Sequence, residues 1–214
     1  RVFTWTLVAA LVAGCFTCAM SRLSAEPITD NPAGTGTAAT AQSQEIADAV
    51  ARFRDRDFDG AMKLLKDAVK KNPDLPPAAV YMAQLFSQAQ IPAGVINSLE
   101  QAVVQDPTDP EAYMIMADIL VQERRVTAAE MLYQKANTLL ASFNKSAKRK
   151  EQLQPRVLSG LASVAEARDD WAGAQKNLEG VLKFEPKNVV AMQRLARCLF
   201  RQKNAKEALE KLRE

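Results

Sequence analysis

The chain has 214 residues, with 28 basic and 25 acidic side chains and a formal net charge of +3. That even mixture describes a solvated surface and argues for neither nucleic acid nor acidic substrates as partners. Histidine is absent, which removes the usual general base and the commonest metal ligand together. Alanine is abundant, aromatics make up 6% and glycines number eight, a balance that favours helix over sheet.

In chain order, Val2 to Met20 (VFTWTLVAALVAGCFTCAM) is an uncharged apolar run between Arg1 and Arg22, the pattern of an export signal or membrane anchor. Within it, Val12-Ala13-Gly14-Cys15 resembles a bacterial lipobox, which would make Cys15 a lipidation site. Two other outcomes stay open. Cleavage could fall near Ala19 or Ala25, and the run is also long enough to span a bilayer uncleaved. Residues 1–25 are therefore read as signal peptide or anchor, placing the protein on the periplasmic side of a bacterial envelope, with membrane contact through this segment. Cys15 and Cys18 lie in the leader, so a cleaved product retains only Cys198 and no disulfide framework. Residues 26–43 (EPITDNPAGTGTAATAQS) hold little to bury and read as a flexible linker. Gly34-Thr35-Gly36 lacks the Lys-Ser/Thr and the preceding strand of a phosphate loop. Arg1 stands where a methionine would begin a product, and Glu214 falls inside a helical pattern. A longer parent chain is the expectation.

From residue 44 onward the sequence repeats. Ala49, Ala83 and Ala117 are spaced by 34 residues, as are Leu65 and Leu99, Pro73 and Pro107, and Ala68, Ala102 and Ala136. Ala117 to Ala162 and Ala129 to Ala174 are both 45, after which Ala162 to Ala196 and Ala174 to Ala208 return to 34. One insertion of eleven residues between Ala136 and Val157 accounts for every offset. A 34-residue period of two amphipathic helices resembles the tetratricopeptide repeat. The likeness rests on Ala49, Ala83, Ala117, Ala162 and Ala196 in the first helices. In the second helices it rests on Ala61, Val95, Ala129, Ala174 and Ala208, followed by Leu65, Leu99, Tyr133, Leu178 and Leu212. It implies an all-α solenoid of stacked antiparallel helix pairs, a right-handed superhelix of about five repeats. The units fall near 42–75, 76–109, 110–154 with the insertion, 155–188 and an incomplete 189–214.

The physics is independent of the family. Two helices approach to about 8–10 Å only where small residues meet at the crossing, which is the part the alanines play. Pro107 forces Asp106 out of helical geometry. Asp109 can then cap the next helix with Pro110 at its first position, and Asn188 suits the same task after Pro186. The first unit is degenerate, with Glu45, Asp48 and Arg52 at expected apolar positions, yet Ile46, Ala49, Val50 and Phe53 keep a helical stripe.

Chemistry is sparse. Asp55 to Gly60 (DRDFDG) opens like a calcium loop, but the twelfth position is Lys66 instead of a bidentate glutamate. No histidine can activate a serine, so no catalytic residues, metal ligands or cofactors are expected, and the chain reads as a non-enzyme. The insertion carries Lys145, Lys148, Arg149 and Lys150, read as a solvated extension of the second helix of unit three and the turn after it.

The resemblance implies that first helices line a concave face holding a peptide or helix of a partner protein. The outward positions are Val80, Gln84, Gln88, Met114, Asp118, Val121, Gln122, Ser159, Ser163, Gln193, Arg197, Phe200 and Arg201. The leading functional expectation is an exported or membrane-tethered scaffold for protein complexes. Two others stand beside it: the recruiting arm of a larger envelope enzyme whose catalytic domain lies beyond Glu214, and self-association through the last repeat.

Overall fold

The computed structural model describes residues 36–211, with side chains from Gln44; the leader, Cys15 and residues 26–35 lie outside the described residues. Ten helices follow one another: α1 (Gly36–Arg54), α2 (Phe58–Lys71), α3 (Ala78–Gln88), α4 (Pro92–Gln105), α5 (Pro110–Gln122), α6 (Val126–Ser142), α7 (Ala147–Ala167), α8 (Trp171–Phe184), α9 (Val189–Arg201) and α10 (Ala205–Lys211). Among the described residues there is no strand. Each odd helix packs on the even helix after it, and each pair packs on the next through α2–α3, α4–α5, α6–α7 and α8–α9. The fold is the expected all-α solenoid of five helix pairs. One boundary needs correction. Because α1 starts at Gly36, residues 36–43 are helical rather than linker, in keeping with the strong helix formers Ala38, Ala39 and Ala41.

The repeated alanines sit at the crossings. Ala49, Ala83, Ala117, Ala162 and Ala196 are all buried, as are Ala61, Ala129, Ala174 and Ala208 on the facing helices. Leu65, Leu99, Tyr133 and Leu178 fill the space beside them; each such side chain removed from water contributes about 1.5–3 kcal/mol. In the first unit, Ala49 and Phe53 are buried on the shifted stripe. The rings of Phe53, Phe58 and Phe86 meet at centroid distances of 5.2, 4.9 and 5.0 Å, joining the first pair to the second.

The turns inside the units repeat as faithfully as the helices. Arg56, Gln90, Arg124, Asp169 and Lys203 all have positive φ, at 63°, 56°, 59°, 58° and 66°, and their positions show the same 34-residue spacing with the same single offset. After each of them an amide donates back across the helix end. Examples are Ile91 N–H to the Phe86 carbonyl at 2.9 Å and Arg125 N–H to the Leu120 carbonyl at 2.8 Å. The left-handed conformation costs an ordinary L-residue about 1–2 kcal/mol, and closure of the helix end compensates. Asp57, from the calcium-like stretch, caps α2 by accepting from Gly60 N–H at 2.9 Å and also pairs with Arg52 at 2.6 Å. Asp109 caps α5 and Asn188 caps α9, with Pro110 at the start of α5.

The inserted residues go somewhere unexpected. α6 has 17 residues and α7 has 21, against 13 or 14 for α4, α5, α8 and α9. Three of the added residues lengthen α6, as the sequence suggested, but most of the added length is an N-terminal extension of α7, residues 147–154, in place of a longer turn. Pro155 stands seven residues before Ala162, as Pro110 stands before Ala117, but it lies inside its helix instead of at the start.

Nor is the extension wholly solvated: Lys148, Glu151 and Gln152 are exposed, but Arg149 and Leu153 are buried. Arg149 is only 5% exposed. Its guanidinium donates twice to Asp109, at 2.8 and 2.9 Å, and once to Glu111 at 2.7 Å, and it lies 5.2 Å from the Phe143 ring centroid. Ser146 caps α7 and donates to Asp74 at 2.5 Å, while Lys145 pairs with Asp106. Burial disfavours the charged form of Asp106, but the Lys145 and Thr108 hydrogen bonds outweigh it and hold that carboxyl below its ordinary value. Lys145 and Arg149 are thus used on this chain's own carboxylates around the start of α5, 38 to 40 residues away in sequence, while Lys150 donates to the Ala141 carbonyl and Lys148 stays exposed.

Candidate functional site

The face formed by the first helices is built by α3, α5, α7 and α9. Its residues fall into three groups by what they touch. Val80 and Met114 are buried, at 0% and 1% exposure, and this corrects their assignment to the outward lining. Val80 shares a core with Ala83, Leu99 and Ala112 of the following unit. Met114 shares one with Phe143, Leu153 and Val157, which come from the inserted segment and α7. Periodicity identified the side of the helix but could not show that a neighbour covers it.

A second group is half-buried and engaged within the chain. Ser159 and Ser163 on α7 accept from Arg194 on α9 at 3.0 and 2.9 Å, and Glu166 accepts from the same guanidinium at 3.0 Å. Arg194, which helical spacing did not single out, therefore fastens α9 to α7 along this face. Asp118 on α5 accepts from the Tyr133 hydroxyl of α6. Burial raises the Asp118 carboxyl above its ordinary value, although the Tyr133 bond and nearby Arg156 oppose the shift. Burial and the Asp118 hydrogen bond push the Tyr133 phenol far up. Gly160 permits this arrangement, because a Cβ there would come within 2.3 Å of the Tyr133 ring. Burial also raises Glu111, since Arg149 is shared with Asp109 and offsets only part of the penalty. Gln84 and Val121 are half-buried as well.

The third group is open. Gln88, Gln122, Gln193, Arg197, Phe200 and Arg201 are exposed, with Phe200 at 66%. Arg201 stacks over Trp171, its guanidinium 5.2 Å from the ring centroid. On α9 the exposed residues Val190, Gln193, Arg197, Phe200 and Arg201 form one stripe at helical spacing. Cys198 points the other way, into the core, where burial and Glu166 raise its thiol. The arrangement offers hydrogen-bond donors, cations and an apolar ring on a rigid surface, a composition suited to recognition.

The model of the tetratricopeptide repeat family matches residues 52–119 and 165–214, more than half of the chain. The chain belongs to the tetratricopeptide repeat family. The unmatched span between those segments contains the inserted residues that make this repeat protein depart from the regular period. Among solved structures it is similar to MamA, with 21% identity, a TM-score of 0.56, and coverage of 77% of this chain and 90% of that one. PilF from Pseudomonas aeruginosa shows 15% identity and a TM-score of 0.56 over 82% of this chain and 77% of that one. Yeast Tom70 shows 18% identity and a TM-score of 0.60 over 85% of this chain and 39% of that one. At such identities these likenesses speak to the fold. Comparison with curated proteins finds no match. Among the described residues no helix is long and apolar enough to cross a membrane.

Proposed function

We propose that this repeat protein is a scaffold that holds a segment of a partner protein along its first-helix face. The observation that carries the reading is an open register that runs the length of that face. Gln88 on α3, Gln122 on α5 and Arg201 on α9 occupy equivalent places in their units, and all three stand exposed. A rigid surface that keeps polar and apolar groups unpartnered loses little conformational entropy when a partner docks. The apolar run Val2–Met20, which lies outside the described residues, supports delivery of this scaffold to the bacterial envelope, cleaved, lipidated at Cys15 or retained as an anchor.

Site-specific photo-crosslinking in the producing cell tests the reading. A crosslinker at Gln193 or Gln88 should capture a defined protein, whereas one at Val104 or Met131, both strongly exposed on second helices, should not. Equal capture from both sets would contradict it. Fractionation of the full chain with the envelope tests the location, and recovery in the soluble cytoplasm would contradict that part.

A further inference from the structure

We infer that the inserted segment is a brace that locks the pairs α3–α4 and α5–α6, together with α7, into one rigid block. In a regular solenoid each repeat leans only on its neighbours, so stiffness is set junction by junction. Here the turn between α6 and α7 reaches both earlier inter-unit turns. Lys145 pairs with Asp106 in the α4–α5 turn, and Ser146 donates to Asp74 in the α2–α3 turn at 2.5 Å. The second contact passes over a whole junction, joining residues 72 apart in sequence. Opening or closing either junction changes the separation of Asp74 and Ser146, so the contact opposes both motions.

Residue choice on both sides fits this role. Pro77 keeps Pro76 out of helical geometry, so α3 begins at Ala78, the counterpart of Ala112, whereas α5 begins earlier, at Pro110. The longer α2–α3 turn is stiffened by Pro73, Pro76 and Pro77, and the Asn72 carboxamide accepts from Asp74 N–H at 2.9 Å. Leu75 stands where Asp109 caps α5, so α3 has no side-chain cap, and the carboxylate one place earlier, Asp74, is left for Ser146. Asp109 and Glu111, which receive Arg149, have no acidic counterparts in the second, fourth and fifth units. Leu75, Gln154 and Asn188 stand in the first register, and Pro77, Arg156 and Val190 in the second. Carboxylates occupy those two registers only where the insertion delivers a cation. The brace has a buried root, made by Phe143, Arg149 and Leu153, and an exposed tip, where Lys145 and Asp74 meet solvent. Exposed pairs add little to global stability, so the tip acts on motion and can be removed without unfolding the root. Held in this way, Gln88 on α3 and Gln122 on α5 keep a constant separation, which spares anything docking there the cost of ordering them.

Pulsed electron-electron resonance on the full chain tests the brace, with bio-orthogonal spin labels at Lys66 on α2 and Gln134 on α6. Both sites are exposed and share one register of their helices. The parent should give a single narrow distance distribution. Asp74→Ala with Lys145→Ala, which removes both tip contacts and spares the buried root, should widen it about twofold. Amide exchange in α3 and α4 should quicken in the same variant. A second label pair, at Gln134 and Glu179, spans a junction the tip does not cross and should not respond. Asn188→Ala, which removes a cap at the α8–α9 turn, should leave the Lys66–Gln134 width unchanged. A circular-dichroism melt confirms that each variant is folded. Should the double variant fail to fold, Asp74→Ala alone carries the same expectation at smaller size. A parent distribution that is already broad, an unchanged width in the tip variant, or equal widening by Asn188→Ala would each overturn the inference.

Discussion

Pro110 and Pro155 occupy equivalent places, each seven residues before a crossing alanine, yet the chain uses them in opposite ways. At Pro110 the preceding helix has ended, Asp109 caps, and the proline opens α5, where its missing N–H costs nothing. At Pro155 the helix already runs from Ala147, so the proline removes one internal hydrogen bond. That cost is tolerated because the added turns carry Phe143, Arg149 and Leu153 into buried positions against α5 and its caps. Even the caps differ in use: Asn188 caps α9 and donates only to nearby Glu185, whereas Asp109 both caps α5 and receives a guanidinium from the insertion. A repeat boundary is therefore set by what the flanking residues can bury, and the proline only permits it.

The largest expected effect breaks the inserted junction. Arg149→Ala leaves Asp109 and Glu111 buried without their cation and should cost about 3–5 kcal/mol in urea denaturation. The crossing alanines come next. Ala117→Leu overpacks the α5–α6 contact and should cost about 1–3 kcal/mol, whereas Gln122→Leu on the exposed face should stay within about 0.5 kcal/mol. Similar costs for the two would place the packed side of α5 wrongly. The regular junction is gentler: Asn188→Ala removes a single cap and should cost about 1 kcal/mol.

Smallest is a pH effect. The Asp118 carboxyl is raised above 3.8 in the folded chain, so just above that value the native state holds a proton the unfolded state has released. The resulting stability is present below the ordinary carboxylate range and is lost as pH rises through the raised value. Urea midpoints across that acidic window should fall less, or rise more, with increasing pH in Asp118→Asn than in the parent. An unchanged slope would mean that Asp118 is not desolvated.

Much of the solenoid was legible because it depends on short-range periodicity. Alanine at a fixed interval marks each crossing, and an apolar residue four positions into each second helix marks the core beside it. The positive-φ turn residues were not legible, since Arg56, Gln90, Arg124, Asp169 and Lys203 share no side-chain type that favours that backbone. The fate of the insertion was hidden for a different reason. Arg149 finds its carboxylates 38 and 40 residues upstream, and nothing local distinguishes a cation that folds inward from one that stays in water. The candidate face was half legible. Helical spacing chose Gln193, Arg197, Phe200 and Arg201, which are open, but also Val80 and Met114, which neighbouring units cover. Arg156 and Arg194 escaped because their importance comes from what sits across from them on other helices.

A double-mutant cycle on Arg149 and Asp109, read by urea denaturation, addresses most directly whether the inserted segment is an integral part of the repeat stack. Because the guanidinium and carboxylate meet in a buried, two-bonded contact, a coupling energy of about 2 kcal/mol is expected. A coupling near zero, with each single substitution nearly silent, would show that the segment stands away from the repeats in water.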